Sequence, residues 1–190
     1  MSGAPATSQP GFGDRLASAL ATRAPLCVGI DPSAQLLARW NLGDDAAGLT
    51  AFGSAVLDAV EGLVAVVKPQ SAFFERHGSA GVAALEELCR DAQSREILVL
   101  LDVKRGDIGS TSDAYAEAYL QADSPIAIDA MTATPYLGVG SLAPLFDAAR
   151  ESGRGVFVVA RSSNPEGALI QDARLEKQGV DALRHVLAEV

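Results

Sequence analysis

Five short apolar runs, Leu26–Ile30, Leu63–Val67, Ile97–Leu101, Pro125–Ile128 and Gly155–Ala160, constrain this chain more than any other feature. Each is β-branched or leucine-rich, too short for a helix, and nearly continuous rather than alternating. That is the pattern of strands covered on both faces in a parallel sheet. The runs begin near positions 26, 63, 97, 125 and 155, roughly one per thirty residues, the length of a βα unit. Helix-like stretches fill the gaps: Ala46–Glu61, Ser79–Gln93, Ser110–Gln121 and Ser141–Glu151. Gly179–Val190 follows the fifth run and Asp14–Arg23 precedes the first.

Unbroken strand–helix alternation means an α/β fold, either a barrel or an open doubly wound sheet. Asp31, Lys68, Asp102 and Asp129 each fall at the C-terminal end of an expected strand, where barrel enzymes keep their chemistry. An open sheet gathers its ligands at one switch point instead. The first run leads into Gly29-Ile30-Asp31-Pro32, which is neither a dinucleotide fingerprint nor a phosphate loop. The expected fold is a parallel (β/α)8 barrel of the TIM type. A complete one needs about 250 residues, so these 190 residues are expected to supply about five βα units. Residues 12–190 are expected to form the N-terminal part of one barrel domain, behind a flexible segment 1–11.

Fifteen basic residues against 24 acidic ones give a formal charge of −9. That balance argues against nucleic acid or an anionic membrane as partner, since both need a positive field. It leaves room for a small anionic substrate, because a few lysines in a concave site reverse the local potential. Cys27 and Cys89 lack metal-ligand spacing and read as a reduced pair. His77 and His185 read as surface residues, and no metal site is assigned. Residues 1–10 lack the basic start and apolar stretch of a secretory signal. No apolar run approaches the roughly 20 residues that span a bilayer. A cytoplasmic protein is expected.

The chemistry concentrates in Asp102-Val103-Lys104-Arg105-Gly106-Asp107, at the end of the third run. Strand side chains alternate faces, so Asp102 and Lys104 should point one way, into the barrel mouth. Gly106 permits a sharp turn, Ser110 and Asp113 have capping-box spacing, and Asp107 falls on the turn itself. Asp31-Pro32 and Lys68-Pro69 repeat one plan, a charge at a strand lip before a proline. Taken singly, each charge is more often a solvated strand end. Together they would cost desolvation energy unless lysines and carboxylates pair.

The segments Val28-Gly29-Ile30-Asp31-Pro32, Val67-Lys68-Pro69-Gln70, Asp102-Val103-Lys104-Arg105-Gly106-Asp107-Ile108, Thr134-Pro135-Tyr136-Leu137-Gly138 and Ser163-Asn164-Pro165-Glu166-Gly167 resemble orotidine 5′-phosphate decarboxylase. These residues resemble the bacterial subgroup with the Lys-Arg-Gly-Asp variant. The resemblance implies release of CO2 from orotidine monophosphate to give UMP, in pyrimidine biosynthesis, with no metal or organic cofactor. It implies catalytic roles for Lys68, Asp102, Lys104 and Asp107, the last reaching into a neighbouring subunit's site with Ile108 and Thr111. Asp31 would hold the ribose hydroxyls with Lys68, and Ser163 would meet the pyrimidine edge. A homodimer with shared active sites follows from the same resemblance.

The family grips its substrate phosphate near the last barrel strands, and no such glycine-rich loop or arginine can be assigned here. Arg161 reads as solvent-facing. A chain of this length alone is therefore expected to be poorly active. Two other readings remain open at this point. One is a related magnesium-dependent sugar-phosphate decarboxylase or synthase, although those relatives carry a carboxylate where Lys68 stands. The other is a non-catalytic nucleotide-binding fragment.

Overall fold

The computed structural model describes residues 10–126 and 128–190; most of the expected flexible segment 1–11 lies outside them. A helix, α1 (Phe12–Leu20), leads into strand β1 (Ala24–Ile30). Helices α2 (Ala34–Arg39) and α3 (Ala46–Val60) carry the chain to β2 (Val64–Pro69). Then come α4 (Ala72–Glu75), α5 (Gly78–Ser94), β3 (Leu98–Arg105), α6 (Gly109–Leu120) and β4 (Ala130–Ala133). The last parallel unit is α7 (Ala143–Ser152) and β5 (Gly155–Val158). Beyond it, α8 (Ala168–Gln171), a short antiparallel hairpin of β6 (Arg174–Leu175) and β7 (Val180–Asp181), and α9 (Ala182–Glu189) complete the described chain.

Strands β1 to β5 lie side by side in sequence order, every neighbouring pair parallel. Neighbours in space that are also neighbours in sequence, joined by helical crossovers, make an arc of a (β/α)8 barrel. Alternation along β3 decides what faces where. Val99 and Leu101 belong to the large core under the outer helices, with Leu85, Leu88, Leu120 and Leu145. Leu98 belongs instead to a second cluster with Phe12, Ala65, Val66 and Ala130, against which Leu100 and Leu16 pack. The α1 helix thus covers the inner face of the arc at its N-terminal end. Phe12 meets Phe157 edge-on, with ring centroids 5.8 Å apart. Gly155 makes room for it, since a Cβ there would sit 2.7 Å from the Phe12 ring. Continuing the alternation from Leu98 and Leu100, Asp102 also faces inward, above this apolar floor.

The expected helices are found to within a few residues. The fourth strand is not where the apolar run placed it. Pro125 and Ile126 lie in a turn held by Ser124, whose hydroxyl accepts from the Ile126 amide and donates to its carbonyl. Residue 127 is outside the described set, and the strand proper is Ala130–Ala133. Proline and the serine side chain satisfy the backbone locally, so pairing starts only after them. Asp129 consequently precedes β4 instead of ending it, at the opposite end of the sheet from Asp102. There it pairs with Arg15 and accepts from Gln93 Nε2 at 3.2 Å and the Val99 amide at 2.8 Å. It is a buried structural tie, beside a cavity of about 850 Å³ also lined by Arg150 and Arg154.

β1 departs from the expected double-sided burial, for it is an edge of the arc and Leu26 is 56% exposed. Cys27 is exposed and Cys89 buried, both free. Burial first, and the charge of Asp129 second, push the Cys89 thiol up to about 12. Among the described residues no helix is long and apolar enough to cross a membrane.

Candidate active site

Lys68 enters the site from the end of β2, where Gly29 of β1 is its ladder partner and Pro69 follows. The β1–β2–β3 pairing then continues to the rim: the Gln70 amide donates to the Ile30 carbonyl at 3.1 Å, and Gln70 bridges Asp102 in parallel. This brings the ends of three strands level, and the side chains meet on one carboxylate. Lys68 Nζ and Gln70 Nε2 each lie 3.0 Å from Asp102 Oδ2. Lys104 Nζ lies 2.6 Å from Oδ1, and the Thr132 hydroxyl donates to the same oxygen at 2.8 Å.

Four donors on two oxygens fix the carboxylate plane. Burial by itself pushes the Asp102 carboxyl up. The hydrogen bonds from Lys104, Thr132 and Lys68, with the charge of Lys68, outweigh it and hold the group below the usual carboxylate range. Asp102 is the buried member, its side chain 9% exposed, while Lys104 is 49% exposed and stands at the open mouth. Two ammonium groups against one carboxylate leave this cluster with one net positive charge, a local reversal of the chain's overall −9. Such a cluster can receive an anion, stabilise charge developing on a nearby atom, and deliver a proton from Lys104.

Asp102 and Lys104 do share a direction, but regular alternation is not the cause. Between β3 and β4 the register runs Leu101↔Met131 and then Arg105↔Ala133. Three residues of β3 therefore stand opposite Thr132 alone. Lys104 takes a left-handed backbone, φ +46, a conformation costly for any residue with a Cβ. Its amide and that of Val103 donate to Thr132 Oγ1 at 2.9 and 3.1 Å.

The turn that follows also differs in detail. Gly106 does not turn left-handed; its role is close approach, since a Cβ there would run into the Thr134 carbonyl oxygen. The left-handed glycine is Gly109, φ +53. The capping box of Ser110 and Asp113 does not form, because α6 already begins at Gly109 with Ile108 as its N-cap. Asp107 holds the turn by accepting the Ile108 amide on Oδ1 at 2.8 Å, and its carbonyl accepts from the Ser112 hydroxyl at 2.5 Å.

The remaining expected site residues are not part of the cluster. Asp31 is exposed just past β1, and among the described residues its carboxylate joins neither Lys68 nor another cation. The expected pairing of lysines with carboxylates is thus made by convergence of both lysines on Asp102. Asp107 is half-buried on its turn, with Ile108 and Thr111 exposed beside it. Ser163 is exposed in the loop after β5. Arg161 turns away to pair with Asp172. Sequence reasoning missed Gln70 and Thr132 as members of the site. The first was legible as part of the Lys68-Pro69-Gln70 plan, the second only with the correct place of β4.

The family model described as orotidine 5′-phosphate decarboxylase / HUMPS family matches residues 24–189. Among curated proteins, the orotidine 5′-phosphate decarboxylase of Salinispora arenicola is 62% identical over 163 residues, covering 86% of this chain and 59% of its own. That of Streptomyces coelicolor is 56% identical over 181 residues, covering 94% of this chain and 65% of its own. The chain therefore spans about three-fifths of the length of these curated relatives. A Streptomyces avermitilis crystal structure assigned as the same enzyme superposes with a TM-score of 0.93 at 53% identity, over 99% of this chain and 66% of that one. The Leishmania donovani OMP decarboxylase structure gives 0.76 at 34% identity, over 93% and 63%.

Proposed function

The chain belongs to the orotidine 5′-phosphate decarboxylase / HUMPS family, and from that premise we propose that it decarboxylates orotidine 5′-monophosphate to UMP and CO2 in pyrimidine biosynthesis. The observation that carries this reading is the convergence of Lys68 and Lys104 on the buried Asp102 carboxylate.

The reaction breaks the bond between pyrimidine C6 and its carboxyl group and leaves the bonding pair on C6. That carbanion lies in the ring plane and has no conjugated sink, so it must be met by a charge already in place. Lys104 is the group at the open mouth, and its ammonium faces the developing pair and then transfers a proton to it. Solvent returns the proton to the amine. Asp102, ionised through its four donors, holds Lys104 on station. It also stands where a substrate carboxylate would approach, so repulsion falls as CO2 leaves. That ground-state effect ranks second to charge stabilisation.

Asp31, beyond the Lys68 partner Gly29, is proposed to take the ribose hydroxyls with Lys68, and Ser163 the pyrimidine edge. Asp107, Ile108 and Thr111 project from the turn and the start of α6 without a cationic partner for Asp107 among the described residues. The exposure of Ile108 and Thr111 beside the half-buried Asp107 supports a homodimer in which the three complete a neighbour's site. We place the enzyme in the cytoplasm, acting on a nucleotide and without a cofactor.

The test is CO2 release from orotidine monophosphate by the native-length polypeptide, with and without EDTA. Equal turnover in both is expected. Turnover abolished by EDTA and restored by magnesium would favour the metal-dependent sugar-phosphate branch, and UMP binding without any CO2 release would leave a nucleotide-binding protein.

A further inference from the structure

We propose that Thr132 is a positioning residue for the Lys104–Asp102 pair, a role that rests on the decarboxylase reading above. The ladder between β3 and β4 sets Asp102, Val103 and Lys104 opposite one residue. Two consecutive amides, those of Val103 and Lys104, thereby lose their regular carbonyl acceptors. Thr132 Oγ1 takes both, at 3.1 and 2.9 Å, on its two lone pairs. Its one proton goes to Asp102 Oδ1 at 2.8 Å. The hydroxyl is saturated, with every donor and acceptor position in use.

This single oxygen does two jobs. It pins the left-handed Lys104 backbone, φ +46, which is what turns the lysine side chain back toward Asp102. It also supplies one of the hydrogen bonds that keep the Asp102 carboxyl ionised. A hydroxyl at this point of β4 is needed for both, and a β-branched residue suits the strand. Valine keeps the shape and loses the oxygen. Serine keeps the oxygen and loses a methyl group.

The experiment compares wild type, Thr132→Val and Thr132→Ser in the full chain by two readouts. The first is the Asp102 carboxyl titration followed by carbon NMR, which needs no turnover. The second is steady-state decarboxylation of orotidine monophosphate. In Thr132→Val the Asp102 titration should move up toward the ordinary carboxylate range. Its kcat should fall about tenfold to a hundredfold, the scale of a lost hydrogen bond to a charged group, with KM changed by less than about threefold. Thr132→Ser should recover both. An unchanged Asp102 titration in Thr132→Val, or a serine variant no better than valine, overturns the proposal. The two readings fail separately. A wild type that releases no CO2, while valine shifts the titration and serine restores it, leaves the positioning role standing and defeats the decarboxylase reading. A wild type that turns over, with valine indistinguishable from it, does the reverse.

Discussion

Lys104→Ala is expected to lower kcat for decarboxylation by about a thousandfold or more, while the fold survives. The loss covers a charge aimed at the developing carbanion, worth about 10²–10³-fold, and the proton that quenches it, worth about 10²–10⁴-fold; one group supplies both, so the two do not simply multiply. Among the described residues no other ammonium is placed to substitute. Lys68 bonds the opposite oxygen, Oδ2, of Asp102. Stability should change little, because the Lys104 side chain is 49% exposed and Asp102 keeps three donors after its removal. Alanine also retains the left-handed backbone that lysine tolerates there. CO2 release and the urea midpoint, measured on the same preparation, separate the two effects. A variant within tenfold of wild-type kcat would remove Lys104 from the chemistry.

Asp102→Ala should cost both turnover and stability. The carboxylate is the hub on which Lys68, Gln70, Lys104 and Thr132 converge. Removing it leaves two ammonium groups turned inward with no counter-charge. Breaking a buried pair costs roughly 3–5 kcal/mol. Here the lysines are 30% and 49% exposed and water relieves them, so a loss of about 1–2 kcal/mol is expected. The pH dependence has a definite sign. Because the folded state holds the Asp102 carboxyl below its ordinary value, its contribution is fully present above the unfolded pKa, about 3.9. It is lost as pH falls through the still lower folded value. The stability gap between wild type and Asp102→Ala should therefore stay level from pH 7 to about 5 and close only in stronger acid. Urea midpoints across that range check it, and a gap already closed near pH 6 would mean that Asp102 is not held ionised by its partners.

What the sequence made legible follows from period and chemistry. β2 and β3 are apolar throughout and end on charges, so their positions and the inward direction of Lys68 and Asp102 could be read directly. β4 could not. Its residues, Ala130-Met131-Thr132-Ala133, make a run only four long, and Pro125 and Ile126, of the stronger apolar run ahead of them, lie in a turn tied by Ser124. With that strand displaced, Asp129 looked like a rim charge and Thr132 fell outside every expected strand. Lys104 shows a different limit. Its neighbour on the carboxylate was expected from strand alternation, yet the contact is made through a bulge and a left-handed residue, neither of which has a local signal. The edge exposure of β1 is likewise a property of the arc, since alternation describes a strand's faces and not its neighbours.

The most direct test of the account is a structure of the native-length protein with UMP bound. Pyrimidine C6 should lie within about 3–3.5 Å of Lys104 Nζ, the separation of a near-attack arrangement, with the ribose between Lys68 and Asp31. UMP seated elsewhere, such as the cavity beside Asp129 at the other end of the sheet, or bound with C6 turned away from Lys104, would contradict it.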